Sequence, residues 1–400
     1  MLKNHTKKLT PITGPHNSNH SSISSGNTEG NYASNLKFDG SFECGNLGKV
    51  DIISEFEFDI NIRPDTSNLR QRVWFYFSVS NTQPGQKVIL NIVNFSKTKT
   101  LYREGASPVV RSKNKPECFD DEYFFAYSFP YTYTQLQDYL NEISLRNLPF
   151  FDRELLGYSV EGRRLDILSI TSISSLTTEP KRTICITSRV HPGESPSSYV
   201  CQGIIDFLIS SNPKAEELRS KLVFKIVPML NPDGVFLGNY RSSSLGFDLN
   251  RNWQNPSKEF QPEILVTKNE FLKFKDDPNL NVEFFIDIHA HSTMMNGFMY
   301  GNTHEDEENR EAQKVFPLLL DEKVFDFSFK NTNFNNDSVK AGTGRRALGD
   351  FLEESLCYTL EVSFFQHHEV KGEDAVKPYT IQKYQELGKN VILTLLDYFE

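Results

Sequence analysis

Several things are missing from this sequence. No run of about 18 apolar residues occurs anywhere in its 400 residues, and a membrane-spanning helix needs about that length, so none is expected. The opening stretch, "MLKNHTKKLTPITGPHNSNHSSISSGN", holds no apolar core, so it does not read as a secretory leader. Cysteine is sparse: the five, at 44, 118, 185, 201 and 357, are odd in number and form no CxxC pair. That pattern fits free thiols in a reducing compartment rather than a disulfide framework or a cysteine-based zinc site. Positive charge is also short, with 43 Lys and Arg against 52 Asp and Glu, a net charge of −9. General nucleic-acid binders carry a basic stripe, so that class is set aside, as is a membrane partner. A locally basic pocket remains compatible with the total. No internal repeat is found.

What is present divides into three parts. Residues 1–35 are rich in Ser, Asn and His and hold almost no large apolar groups, so they are expected to be a disordered tail. Residues 36–133 read as a small antiparallel β-sandwich, with "FEFDINI" alternating at period two and "RVWFYFSVS" and "KVILNIVNF" separated by the turn signal "NTQPGQ". Residues 134–400 alternate short β-rich runs ("RLDILSI", "RTICITSRV", "LVFKIVPML", "EFFIDIHAH", "LCYTLEVSFF") with helical spacing. This predicts an α/β domain on a mixed, mostly parallel sheet.

Ligands of open α/β sheets bind beyond the carboxyl ends of the strands, and "HPGE" lies there, after "RTICITSRV". Ser195 is expected to cap the next helix and Pro196 to occupy its first turn. His191 then ends a strand and Glu194 starts a helix, and the Pro-Gly pair bends the chain so that both side chains can meet. The plain alternative is a strand-to-helix turn with a surface histidine. A catalytic zinc takes three protein ligands and leaves one position open. "FIDIHAHS" offers the third at another strand end, where His289 and His291 project to the same side. Either could bind the metal while the other lines the site. Between the two motifs, Arg241, Asn250 and Arg251 supply planar donors suited to a carboxylate, although a single such arginine is more often a solvated charge. Glu361 lies inside the apolar run "CYTLEVSFF" and is either ion-paired or a catalytic base.

In this order the residues resemble the zinc carboxypeptidases. The longer strings "RVHPGES", "MLNPDGVFLGNYR", "DLNRNW", "DIHAHSTMMNGFMYGN", "KAGTGRR" and "CYTLEVSF" are similar to those of the cytosolic carboxypeptidases, as are "FDGSFECGNLGKVD" and "VNFSKTKTLYREG" in the β domain. The resemblance covers roughly 37–400 and leaves out the tail. It implies one Zn²⁺ held by His191, Glu194 and His289, with Glu361 as general base and acid, Arg241 on the oxyanion, and Asn250 and Arg251 on the substrate's C-terminal carboxylate. It further implies removal of glutamates from polyglutamylated proteins, tubulin above all, in the cytoplasm, at the cytoskeleton, centriole or ciliary basal body. An acid-selective pocket needs its own cation, and "KAGTGRR" supplies Lys340, Arg345 and Arg346, with Arg346 favoured. No substrate-closing tyrosine is assigned. Two rivals are a zinc deacylase of small acyl-amino acids, which would not need the β domain, and a non-catalytic microtubule-binding protein, which would not need every catalytic position filled.

Overall fold

The structure, a computed structural model, describes residues 34–114, 121–172, 179–369 and 375–400. Residues 1–33 of the Ser/Asn-rich tail and Cys118 therefore lie outside the described residues. The chain opens with seven short strands: β1 (Lys37–Asp39), β2 (Lys49–Ser54), β3 (Glu57–Asn61), β4 (Tyr76–Ser80), β5 (Ile89–Ile92), β6 (Val109–Ser112) and β7 (Tyr123–Ala126). They form a four-stranded sheet, β1-β4-β7-β6, and a three-stranded one, β2-β3-β5. Period-two alternation in β3 turns Phe58 and Ile60 inward and leaves their neighbours half-exposed. Phe38 of the first sheet meets Phe58 of the second with ring centroids 5.1 Å apart. One pairing departs from the antiparallel expectation: β3 and β5 run parallel. The long stretch between them carries the chain across the other sheet before it returns, so a hairpin is not available.

The second unit follows in the order α1 (Tyr133–Leu145), β8 (Phe151–Tyr158), β9 (Arg164–Ile170), β10 (Lys181–Ser188), α2 (Ser195–Leu208), α3 (Pro213–Lys221), β11 (Leu222–Val227), α4 (Pro232–Leu237), α5 (Pro262–Asp276), β12 (Leu280–His291), β13 (Gly297–Gly301), α6 (Glu307–Lys323), β14 (Asn333–Phe334), α7 (Gly344–Leu352), β15 (Leu356–Ser363), β16 (Gln366–His368), β17 (Val376–Pro378) and α8 (Ile381–Phe399). Eight strands make one mixed sheet in the order β14-β13-β15-β12-β10-β11-β9-β8. The central β15, β12, β10 and β11 are mutually parallel, β9 runs antiparallel to β11, and β8 runs antiparallel to β9. Helices cover both faces, which is why β12 is buried without interruption from Phe284 to Ala290, its polar Asp287 and His289 included. On one face α2 packs against α8 so closely that a Cβ on Gly203 would lie 2.1 Å from the Gln385 carbonyl oxygen. That contact fixes the helix whose N-terminal end carries Glu194. Cys44, Cys185, Cys201 and Cys357 are free and buried, in keeping with the reading of unpaired thiols. Among the described residues no helix is long and apolar enough to cross a membrane.

One buried carboxyl is held against its ordinary charge state. Glu263, in the first turn of α5, is 1% exposed. Its Oε1 accepts the Val160 N–H at 3.3 Å, while Oε2 has no partner among the described residues. Burial, assisted by the nearby Asp233 charge, pushes its pKa from 4.5 up to about 7. The folded state therefore keeps a proton that the unfolded chain has already released, and stability falls as pH rises between those values. Glu263→Gln is expected to be more stable than wild type at pH 8, by on the order of 2–3 kcal/mol, with the gap closing toward pH 4.5. Denaturant unfolding at the two pH values checks this, and an equal gap at both would count against it.

Candidate metal centre

The turn after β10 is built around a buried arginine. Arg189 sits at φ 59°, and its guanidinium donates from Nε to the Pro192 carbonyl at 2.7 Å and from Nη1 to Ser198 Oγ at 2.8 Å. It thus ties the turn within "HPGE" and the first turn of α2 to one group. Gly193 has to be glycine for space: a Cβ there would lie 2.5 Å from the Tyr240 ring, and its N–H donates to the Tyr240 carbonyl at 2.7 Å. Ser195 does not cap α2 as expected. It is the first helical residue, Glu194 takes the cap position, and the Ser195 hydroxyl has no partner among the described residues. This displacement leaves the Glu194 carboxylate free for other work.

That work is visible in the distances. Glu194 Oε1 lies 2.8 Å from His191 Nδ1, and Oε2 lies 2.9 Å from His289 Nδ1. The three side chains are buried and their ligand atoms fall within 4.8 Å of one another, a possible metal site. The far ring nitrogens are also engaged: His191 Nε2 faces Asp248 Oδ1 at 3.1 Å and His289 Nε2 faces Asp287 Oδ2 at 2.8 Å. Asp287 is itself held by Thr187 Oγ1 at 2.7 Å. A carboxylate behind each imidazole fixes the tautomer that leaves Nδ1 free to bind a metal. The donor set of two imidazoles and one carboxylate is that of a catalytic zinc, and it fits. Neither aspartate was singled out from sequence, although "DIH" carried a signal, since residues two apart on a strand share a side.

Electrostatics follow this arrangement. Burial opposes the Glu194 charge, but the His191 and His289 rings hold its pKa well below the ordinary value. For His289 burial works against the imidazolium, yet Asp287 and Glu194 raise its pKa well above the usual one. Asp248 is likewise penalised by burial and pulled below its ordinary value by His191, Arg241 and Arg251.

The remaining expected residues mostly converge. Glu361 on β15 stands in register with His289 on β12 and lines the same cleft, and burial lifts its pKa. Arg241 donates from Nε to Asp248 Oδ2 at 2.8 Å. The loop carrying Arg241 is pinned from the β domain: the buried Asp65 carboxylate accepts the N–H groups of Tyr240, Arg241 and Ser242 at 2.6, 2.8 and 2.8 Å. The Asn250 amide nitrogen lies 3.1 Å from His289 Nε2, and Arg251 donates to the Asn250 carbonyl at 2.8 Å. The cleft, about 200 Å³, is also lined by Lys340 and Arg345, but not by the favoured Arg346. Consecutive residues on a helix point about 100° apart, and α7 turns Arg345 inward, where Nη1 donates to the Gly301 carbonyl and Asn302 Oδ1. Arg346 turns away from the cleft. Lys97, Tyr240 and Tyr300 also line the cleft, and none of them was read from the sequence. His291 reaches the cleft wall, with Thr293 Oγ1 at 3.3 Å from its Nδ1, and stands outside the three-ligand cluster.

The ligand assignment predicts that His289→Ala loses bound zinc while His291→Ala keeps it. Asp287→Asn, which disturbs only the support of His289, should weaken zinc binding by about 10- to 100-fold. Metal content by elemental analysis and competition with a chelator measure both. Retention of one zinc per chain in His289→Ala would overturn the assignment.

Comparison with known proteins agrees with this geometry. Residues 136–324 match the zinc carboxypeptidase family, and residues 38–122 match the cytosolic carboxypeptidase N-terminal domain. Human cytosolic carboxypeptidase 6 is 53% identical over 396 residues, covering 91% of this chain and 78% of that protein. The Caenorhabditis elegans cytosolic carboxypeptidase 6 is 44% identical over 403 residues, covering 92% and 88%. Among solved structures, a metallo-carboxypeptidase from Burkholderia cenocepacia shares the fold with TM-score 0.76 at 22% identity, over 91% of this chain and 100% of that one. With its β domain, its α/β domain and its metal cluster all accounted for, the chain belongs to the cytosolic carboxypeptidases, a family of zinc metallocarboxypeptidases.

Proposed function

We propose that this metallocarboxypeptidase removes C-terminal glutamates from polyglutamylated proteins, tubulin tails among them, and that it does so in the cytoplasm at microtubule-based structures. The observation that carries this is a local reversal of charge. In a chain of net charge −9, the cleft is lined by Arg251, Lys340 and Arg345, and among the described residues none of the three is ion-paired to a carboxylate. The Lys340 ammonium lies over the Tyr300 ring, 4.0 Å from its centroid. Cations gathered without a direct carboxylate partner favour a substrate that brings carboxylates of its own. A C-terminal glutamate brings two. Screening beyond about 8 Å keeps the acidic remainder of the protein from deciding the matter.

Each residue then has a role. Asn250 and Arg251 grip the terminal carboxylate, which confines cutting to the chain end. Lys340 and Arg345 face the glutamate side chain. When bound, zinc supplies Lewis acidity, which makes water more acidic and the scissile carbonyl more electrophilic. Glu361 accepts a proton from the attacking water and later gives it to the leaving nitrogen. Arg241, aligned by Asp248 and by the Asp65 clamp on its loop, donates to the carbonyl oxygen as negative charge develops there, worth ~3 kcal/mol for one such donor.

Glu361→Gln is expected to keep zinc and bind peptide while kcat falls by about 10²- to 10⁴-fold. Activity within tenfold of wild type would remove its proton-transfer role. The pocket assignment predicts that Lys340→Ala and Arg345→Gln each reduce the preference for peptides ending in Glu over peptides ending in Leu by about 10- to 150-fold, and that Arg346→Ala leaves it in place. Comparing kcat/KM for the two peptides measures this, and unchanged preference in both cleft variants would place the acidic pocket elsewhere.

A further inference from the structure

The cleft has one wall that does not come from the α/β domain. Lys97 lies in the loop after β5 and reaches the cleft from the β domain. Its Nζ lies 2.8 Å from the Tyr240 hydroxyl and 5.1 Å from the centroid of that ring. The side chain is half-buried, and no ion pair joins it to a carboxylate among the described residues. The tyrosine it leans on is itself fixed, because the Tyr240 N–H donates to Asp65 at 2.6 Å and the Tyr240 carbonyl accepts from Gly193 at 2.7 Å. The ammonium is therefore held at a defined place rather than swinging in solvent.

Its place relative to the other cations follows from the sheet. Across the order β13-β15-β12-β10-β11, Tyr300 is on β13, Glu361 on β15, His289 on β12, and His191 follows β10. The loop with Tyr240 and Arg241 follows β11 and α4. Lys340, over Tyr300, and Lys97, on Tyr240, thus stand on opposite flanks of the metal ligands. In the function proposed above, on which this inference rests, the last residue of the substrate occupies the Lys340 and Arg345 flank. The chain must then pass the metal ligands and leave across the other flank. The first residue to do so is the one that donates the scissile carbonyl, next to Arg241.

We infer that Lys97 and Tyr240 form a second acidic subsite, which binds the side-chain carboxylate of the penultimate residue and makes the enzyme selective for two consecutive acidic residues at a chain end. The β domain would then read substrate directly as well as support the loop that carries Arg241. A lone C-terminal glutamate after a neutral residue would fill one subsite and leave Lys97 unanswered.

The experiment uses zinc-loaded full chain and short peptides ending in Glu-Glu, Ala-Glu and Lys-Glu, together with the same set ending in Leu. The quantity read is the ratio of kcat/KM for an acidic over a neutral penultimate residue, with the terminal residue held constant. Wild type should prefer Glu-Glu over Ala-Glu, and Lys97→Ala should lower that ratio by about 10-fold or more. Lys97→Arg should retain it, and Lys97→Glu should turn the preference toward Lys-Glu. A wild-type ratio near one, or a Lys97→Ala variant that slows both peptides equally and so only loosens Tyr240, would overturn the subsite. The terminal preference, Glu against Leu, is read separately from the same set. Its absence would sink the proposed function, while the penultimate ratio could still be measured on the better terminal residue.

Discussion

Everything in this site depends on keeping one ionised carboxylate inside a protein. Glu194 is buried beside two imidazoles that are buried too, and an uncompensated charge in such a place would be strongly disfavoured. Compensation comes in layers. The imidazole Nδ1 atoms face Glu194, aspartates stand behind the Nε2 atoms, and Thr187 and Arg241 hold the aspartates in turn. Each layer needs its backbone within a few tenths of an ångström. The rigid parallel strands β10 and β12 provide this, and both end at the same edge. The close α2–α8 contact at Gly203 sets where the helix bearing Glu194 begins.

The β domain belongs to this same chain of support. Asp65 accepts three successive N–H groups from the loop that carries Arg241, and the Cys44 N–H donates to the Phe236 carbonyl at the end of α4 at 3.0 Å. A loop rich in Gly and Ser would otherwise be free to move. Three hydrogen bonds to one buried carboxylate, each stronger than a neutral pair, convert it into a fixed part of the cleft. This gives a physical reason for a catalytic domain to carry a separate β domain at its N-terminal side, and it places Lys97 at the cleft as well.

Much could be read from the sequence because the relevant physics is local. Strand period, helix spacing and residue chemistry are written within a dozen positions. The runs that became β9, β10, β11, β12 and β15, the helical spacing between them, and the placing of His191, Glu194, His289 and Glu361 at or in β runs all came from such windows. The matched zinc carboxypeptidase family covers the strings that carry His191, Glu194 and His289, within residues 136–324. Ser195 was misplaced by one position because a serine before Pro at a helix start is a good cap in isolation. The sequence does not reveal that the turn is already held by Arg189 from inside.

What only the tertiary structure decided is whatever depends on groups distant in the chain coming together. Arg345 and Arg346 are equivalent in composition, and the rotation of α7 against the sheet selects the first for the cleft. The parallel pairing of β3 with β5 depends on the path of the chain between them, not on either strand's pattern. Asp65 is 176 positions from Arg241 and Lys97 is 143 from Tyr240, and nothing near either residue marks it. The sequence by itself determined the type of chemistry, because a metal ligand and a base are recognisable by residue type at a strand end. The second flank of the cleft was left to the fold, since a contact between two domains leaves no periodicity in either one.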